Sequence, residues 1–245
     1  MKYRSVVAGI DAALLLILVV AGVFLNAVRN EAVSVELYDR RSREAVAEMH
    51  GGEPVEDAAM VDAYIGMDSE RQHRFAETLS AYMKGSSDEL PEELNEKERV
   101  HFADVRRLIR LAERVSRYSL GLSAILVFAL AWLTRMPGVH ALRVVCAGLA
   151  AGASCIALFA LWASRNFTTA FVWMHQMLFS NDFWQMDPRT DIIIRVMPAG
   201  LFEQAAVRCI RQAAVQLAVI LPLLIVLYFF MRRLIGQWVR EPEAG

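Results

Sequence analysis

The chain has 245 residues, 56% of them hydrophobic, a composition too oily for most soluble domains and one that points to a membrane. Lys plus Arg number 26 against 27 for Asp plus Glu, a formal charge of -1, so no basic field invites nucleic acid and no such partner is expected. Three cysteines, none in a CxxC pair, exclude a disulfide-rich scaffold and a cysteine-built zinc or iron–sulfur centre.

Four oily segments divide the sequence. The first runs from about Ser5 to Val28, broken only by Asp11. Lys2, Arg4 and the small Ala27 would suit a cleaved signal, but the long apolar run and its internal acid favour a retained span. Asp11 lies two helical turns from Arg4 and is expected to pair with it. Tyr118 to Thr134 supplies 17 uncharged residues, about 26 Å of helix against a hydrocarbon core of about 30 Å. Val144 to Ser164 supplies 21, and Gln212 to Met231 supplies 20. Gly148 and Gly152 stand at GxxxG spacing, which lets a neighbouring backbone approach closely, within the chain or between chains. Cys146 and Cys155 fall on opposite sides of the third segment and are expected as buried bulk, while Pro222 is expected to kink or loosen the fourth.

Charge orients these segments. Arg135 and Arg143 flank a short connection without acids, and Lys2, Arg4, Arg232 and Arg233 flank the outermost spans. Under the positive-inside rule these ends face the cytoplasm. Residues 29–117 hold 20 acids and 14 bases and lie outside. The reading is an all-α protein of the cell membrane with four transmembrane helices and a helical extracytoplasmic cap. Residues 1–28 form the cytoplasmic N-terminus and first span, 29–117 the cap, 118–134 the second span and 135–143 a cytoplasmic loop. Residues 144–164 form the third span, 165–211 an aromatic-rich extracytoplasmic segment, 212–231 the fourth span and 232–245 a cytoplasmic tail.

Within the cap, Glu31 to Met49 and Glu56 to Lys84 are rich in helix formers, with Tyr38, Tyr64, Phe75, Leu79 and Tyr82 available for packing. A loop, GSSDELPEELNEKER, then leads into ERVHFADVRRLIRLAERVSR. On that helix Val105, Leu108, Ala112 and Val115 share the side of His101, and most arginines point away, so His101 and Asp104 intrude near an apolar stripe. A lone histidine there is ordinarily a satisfied core residue. The second outer region, however, gathers Phe167, Phe171, Trp173, Phe179, Phe183, Trp184 and Phe202 around His175. If the third helix continues past Arg165, then Phe167, Phe171, His175 and Leu178 line one side. An aromatic belt at the membrane surface would explain the rings without chemistry. Asp187-Pro188 reads as a helix N-cap followed by proline at the first helical position.

Two stretches, EKERVHFADVRRL from Glu96 to Leu108 and HQMLFSNDFWQMDPRTDIIIRVMP from His175 to Pro198, resemble the paired signature of the bacterial lipoprotein intramolecular transacylase family. The order of spans and outer regions is similar to that family's along the whole chain. After Pro198 the pattern departs, with Ala199, Gly200 and Leu201 where an acid and aromatics are usual. The resemblance implies a membrane acyltransferase that moves the sn-2 acyl chain of a diacylglyceryl-cysteine lipoprotein to the α-amino group of the same cysteine, giving the lyso form. It implies diacylglyceryl-modified lipoproteins and membrane lipid as partners. His101 and His175 would be catalytic, with Asn181, Trp184, Asp187 and Asp191 supporting the site. Phe102, Phe171, Trp173, Phe179 and Trp184 would wall it, and Asp104 or an acid beyond His175 could orient an imidazole.

Turning an ester into an amide is downhill, so neither cofactor nor metal is expected. The attacking amine, with a reference pKa of about 7.7 to 8.0, must lose a proton and the departing glyceryl oxygen must gain one. Histidine suits both steps near neutrality. Two other readings compete: a noncatalytic membrane module that binds an envelope protein, and a metal site using His101, His175 and outer acids, for which ligand spacing is missing.

Overall fold

The computed structural model describes residues 2–52, 57–134 and 139–238, so the connection 135–143 and the tail 232–245 fall partly outside the described residues. Among the described residues there are ten helices: α1 Lys2–Ala32, α2 Val35–Tyr38, α3 Arg40–Met49, α4 Ala58–Ile65, α5 Ser69–Lys84, α6 Glu96–Leu133, α7 Val139–Arg165, α8 Phe167–Leu178, α9 Ile193–Val196 and α10 Ala199–Trp238. They fall into two compact units, the first comprising residues 1–25, 114–166 and 212–245 and the second residues 26–113 and 167–211.

The first unit contains the apolar lengths of α1, α6, α7 and α10, the four helices among the described residues long and apolar enough to cross a membrane. Helical geometry satisfies every backbone group internally, which lipid demands. Their outward faces carry Leu14, Ile125, Leu158, Val219 and Val226, all exposed, as suits hydrocarbon. Small residues form the interior. A Cβ on Gly148 would collide with the Gly9 carbonyl of α1, and one on Gly152 would meet the Ala13 carbonyl at 3.2 Å, so the GxxxG spacing is used inside the chain, between α7 and α1. Thr134 and Tyr228 share a hydrogen bond at 2.8 Å. Pro222 sits within an unbroken α10. Two expectations fail here. Asp11 is buried with Oδ2 unpartnered and forms no ion pair with Arg4 among the described residues, because two turns of helix do not bring their side chains together. Cys146 and Cys155 are exposed rather than buried, since the outside of a membrane bundle accepts a small apolar thiol as readily as its core.

The second unit is a helical domain built on Leu37, Tyr38, Val46, Ile65, Phe75, Leu79, Met83, Phe102, Ile109, Val196 and Leu201, a single buried cluster. Tyr38, Phe75, Leu79 and Tyr82 are buried in it. Its helices have defined ends. Asp68 caps α5 by accepting the Arg71 N–H at 2.8 Å, and Gly85, at φ 83°, closes it in the left-handed region that favours glycine. Buried polar groups are satisfied across elements: Gln72 on α5 donates to the Tyr38 carbonyl and to Ser42, each at 3.0 Å, and Ser42 donates to the Val196 carbonyl of α9 at 2.5 Å. Arg41 and Glu31 form a buried ion pair.

Two details depart from the sequence pattern. The buried side of α6 is centred on Phe102, Arg106 and Ile109, while Leu111 and Val115 are exposed. Arg106, expected on the solvent face, lies over the Tyr82 ring at 4.3 Å and bonds Asp88 at 2.8 Å, so a guanidinium with an aromatic platform and a carboxylate replaces an apolar knob. The third span's helix also does not continue outward: it stops at Arg165, and α8 starts afresh at Phe167. Asn166 between them turns its side-chain amide back to the Trp162 carbonyl at 2.9 Å, a local bond that competes with helix continuation.

Candidate active site

His101 comes from the second turn of α6 and His175 from the last turn of α8, both in the second unit. Phe179, one turn past His175, joins them. Its ring centroid is 5.1 Å from that of His101 and 5.5 Å from that of His175, which it stacks at 23°. The two imidazoles therefore lie no farther apart than the sum of those distances. Phe171 approaches His175 at 4.1 Å and Trp184 approaches it at 5.1 Å. Phe202 of α10 backs Phe171 at 5.2 Å, and the buried Phe102 ring lies 5.8 Å from His101. Chain-distant residues thus meet in one ring-walled cluster.

The two histidines differ in their hydrogen bonds. His175 Nδ1 lies 2.8 Å from the Phe171 carbonyl. A carbonyl only accepts, so Nδ1 carries the proton and Nε2 keeps its lone pair. His101 Nδ1 is buried without a hydrogen-bond partner among the described residues. Burial is the largest cause that pushes His101 down, to about 4; His175 and Lys97 push the same way and Asp104 opposes. Burial also holds His175 below its ordinary value, against the Phe171 carbonyl bond. Both rings are therefore neutral at pH 7.

Asp104 does not bond His101. Its Oδ2 accepts from Asn181 Nδ2 at 2.9 Å and its Oδ1 pairs with Arg107 at 3.1 Å. Asn181 in turn accepts the Phe183 N–H at 3.1 Å. The carboxylate thus fastens to α6 the loop that presents Trp184. Asp187 caps a single turn, not a helix, accepting the Arg189 N–H at 3.0 Å, while its own carbonyl accepts from Asp191 N at 2.8 Å. Asp191 is buried and accepts from Lys97 and Asn95, each at 2.9 Å, from the Asp187 N–H at 2.7 Å and from Thr190 at 3.1 Å. Burial would raise its pKa, but these bonds, led by that of Lys97, hold it below the usual range. Both acids hold the shape of the loop through these bonds. Trp173, expected in the wall, is 50% exposed, because it is two residues from Phe171 and so points away on a helix. Leu178, expected beside His175, is exposed as well.

Three residues here escaped the sequence reading. Asn95 and Glu98 form a reciprocal capping box at the start of α6: Asn95 Oδ1 accepts the Glu98 N–H at 3.0 Å and Glu98 Oε2 accepts the Asn95 N–H at 2.8 Å. The free Oε1 of Glu98 accepts the Ile193 N–H at 2.8 Å, tying α9 to α6. Lys97 adds a bond to the Gln185 carbonyl at 2.5 Å. The N-x-x-E spacing before an apolar run was the signal available for the box; nothing local announces the reach to Ile193 or Asp191. Among the described residues no cluster of three or more His, Cys, Asp or Glu is arranged to hold a metal.

Four helices fit to cross a bilayer define the class as an integral membrane protein, and its second unit holds a half-buried and a buried imidazole, His101 and His175, among aromatic rings. Residues 52–202 match the model of the family described as lipoprotein intramolecular transacylase Lit. With more than half its length matched, the chain belongs to that family and is a membrane transacylase. Among solved structures it is similar to the membrane integral lipoprotein intramolecular transacylase of Bacillus cereus, with 20% identity, 97% of this chain and 98% of that chain covered, and a TM-score of 0.55. A second structure of the B. cereus protein, carrying a histidine-to-alanine mutation, matches at 20% identity over 96% of both chains with a TM-score of 0.53. These likenesses show the shared fold. No curated protein sequence matches the chain.

Proposed function

We propose that the protein moves the sn-2 acyl chain of a diacylglyceryl-cysteine lipoprotein to the α-amino group of the same cysteine, with His175 as base and His101 as hydrogen-bond donor. The observation that carries the assignment is the unequal bonding of the two rings. The Phe171 carbonyl fixes the His175 proton on Nδ1 and leaves Nε2 free to accept, while His101 has an unpartnered buried nitrogen.

In this reading the cysteine amine attacks the sn-2 ester carbon and gives a proton to His175 Nε2. His101 donates to the oxyanion that develops as the tetrahedral centre forms. When that centre collapses, the carbon–oxygen bond to glycerol breaks and His175 returns the proton to the departing oxygen. The products are an amide and a free sn-2 hydroxyl, so atoms and protons balance with nothing consumed. Phe171, Phe179 and Trp184 keep water from the ester and hold amine and carbonyl as a near-attack pair. Neutrality of His101 matters because a neutral ring can donate to an oxyanion without a proton being transferred early.

The charge asymmetry of the flanks supports termini in the cytoplasm and a site at the extracytoplasmic face, with membrane lipid around the spans. Substrate and product are isomers, so intact mass does not separate them. The protein should be expressed with a diacylated lipoprotein and the N-terminal lipopeptide fragmented. Loss of amine reactivity together with loss of the sn-2 ester is expected. A lipopeptide unchanged by the wild-type protein would favour the noncatalytic binding module instead.

A further inference from the structure

The stretch that carries Trp184 has no helix of its own. Between α8 and α9, residues 179–192 hold their shape by turns and by side chains that reach them from the N-terminal turns of α6. Trp184 is half-buried. Among the described residues its side chain makes a ring contact with His175 at 5.1 Å and no hydrogen bond, so the backbone ties on either side set where the indole stands. Two such ties bracket it. Before Trp184, Asn181 donates to Asp104 at 2.9 Å. After it, Lys97 Nζ donates to the carbonyl of the very next residue, Gln185, at 2.5 Å and to Asp191 Oδ2 at 2.9 Å. One ammonium thus closes the segment from Gln185 to Asp191 into a loop and fixes the carbonyl beside Trp184.

A neutral side chain cannot take the place of this ammonium. Asp191 is 1% exposed, and a carboxylate withdrawn from water that loses its cationic partner keeps only neutral donors, here Asn95, Thr190 and the Asp187 N–H. Loss of Lys97 therefore loosens both ends of the loop at once. The consequence for chemistry lies in what Trp184 excludes. An ester activated beside a base is open to water as well as to an amine, and exclusion of water is what leaves the amine as acceptor. Water adding its oxygen to the ester carbon would break the same carbon–oxygen bond to glycerol, giving a free fatty acid and the sn-2 hydroxyl while the cysteine amine stays unacylated.

We propose that Lys97 is a positioning residue that holds Trp184 on His175 and thereby sets how the sn-2 acyl chain divides between the amine and water. Resting on the transacylase reading, this makes Lys97 a determinant of which product forms. Lys97 also stands one helical turn before His101. An effect passed through that ring would slow transfer and hydrolysis together and leave their ratio unchanged, whereas an effect passed through Trp184 changes the ratio.

The variant Lys97→Met keeps the aliphatic stem and removes the donors. Full-length protein in phosphatidylcholine nanodiscs would be given a synthetic diacylglyceryl-cysteinyl peptide labelled in its sn-2 chain, and the label counted in amide and in free acid. Lys97→Met is expected to raise the share of free acid severalfold over wild type. Ser80→Ala, which removes a buried hydrogen bond to the Val33 carbonyl, controls for lost stability and should leave that share unchanged. In a Trp184→Ala background, which leaks acid by itself, Lys97→Met should add nothing, because the residue through which it acts is gone. The place of the ring is read without turnover. With Trp132, Trp162, Trp173 and Trp238 replaced by phenylalanine, Lys97→Met should shift Trp184 emission to the red and raise its quenching by acrylamide. Free acid at the wild-type share, quenching at the wild-type value, or a further rise in the double variant would each overturn the proposal. Wild-type protein that leaves all the label on glycerol would sink the transacylase reading instead, and the quenching would still decide whether Lys97 holds Trp184.

Discussion

At the scale of single residues, the proposed chemistry rests on two imidazoles that are differently bonded. Replacing either with alanine is expected to lower the transacylation rate by about 10²- to 10⁴-fold, the usual contribution of a positioned acid–base group, measured on purified protein at equal amounts. The pH dependence carries a sign that follows from burial. Burial holds both histidines below their ordinary value, His101 at about 4, so neither is expected to break the profile at the ordinary histidine value of about 6.5. The substrate amine, with its pKa of about 7.7 to 8.0, is the group that loses competence first. The logarithm of kcat/KM should therefore fall with unit slope as pH drops below the amine's pKa and steepen only below about 6.5. A second break at the ordinary histidine value would show that the rings are less buried than the geometry gives. His101 and His175 were both legible as polar intruders among apolar or aromatic neighbours. The partner of Asp104 was not: a carboxylate three residues from a histidine suggests an orienting bond, yet its hydrogen bond runs to Asn181, far along the chain.

At the scale of elements, α6 and the loop after α8 are fastened by side chains that bridge distant sequence. Glu98 accepts from two backbone N–H groups with its two oxygens, one on its own helix cap and one on α9. Glutamine has only one oxygen, so Glu98→Gln should leave a buried N–H facing an amide nitrogen and cost about 1 to 3 kcal/mol, read as a lower chemical-denaturation midpoint in detergent. Wild-type stability in that variant would remove Glu98 from the framework. Repeated apolar spacing revealed the long helices well, because periodicity is local. The break at Asn166 went unseen because neither glycine nor proline marks it; a side-chain amide bonded to the Trp162 carbonyl ends α7 instead. The buried side of α6 was misread for a related reason. Arg106 packs on Tyr82, while Val115, which fits the apolar pattern, remains exposed.

At the scale of the whole molecule, length and charge exposed four spans and their order, since a bilayer sets how many uncharged residues a helix needs. The topology we propose places the C-terminus in the cytoplasm. A green fluorescent protein fused there should fluoresce and an alkaline phosphatase fused there should be inactive, and the reverse pair of results would invert the orientation. What pattern alone did not give was the meeting of α6 and α8 residues around Phe179, which depends on tertiary packing. That meeting is what the mechanism we propose rests on. A synthetic diacylglyceryl-cysteinyl peptide, isotopically labelled in its sn-2 chain, should be incubated with the purified protein in nanodiscs and the position of the label followed by fragmentation. The wild-type protein is expected to move the label to the cysteine amide, with His101→Ala and His175→Ala leaving it on glycerol. Undiminished transfer in either folded variant would contradict a reaction run by two imidazoles.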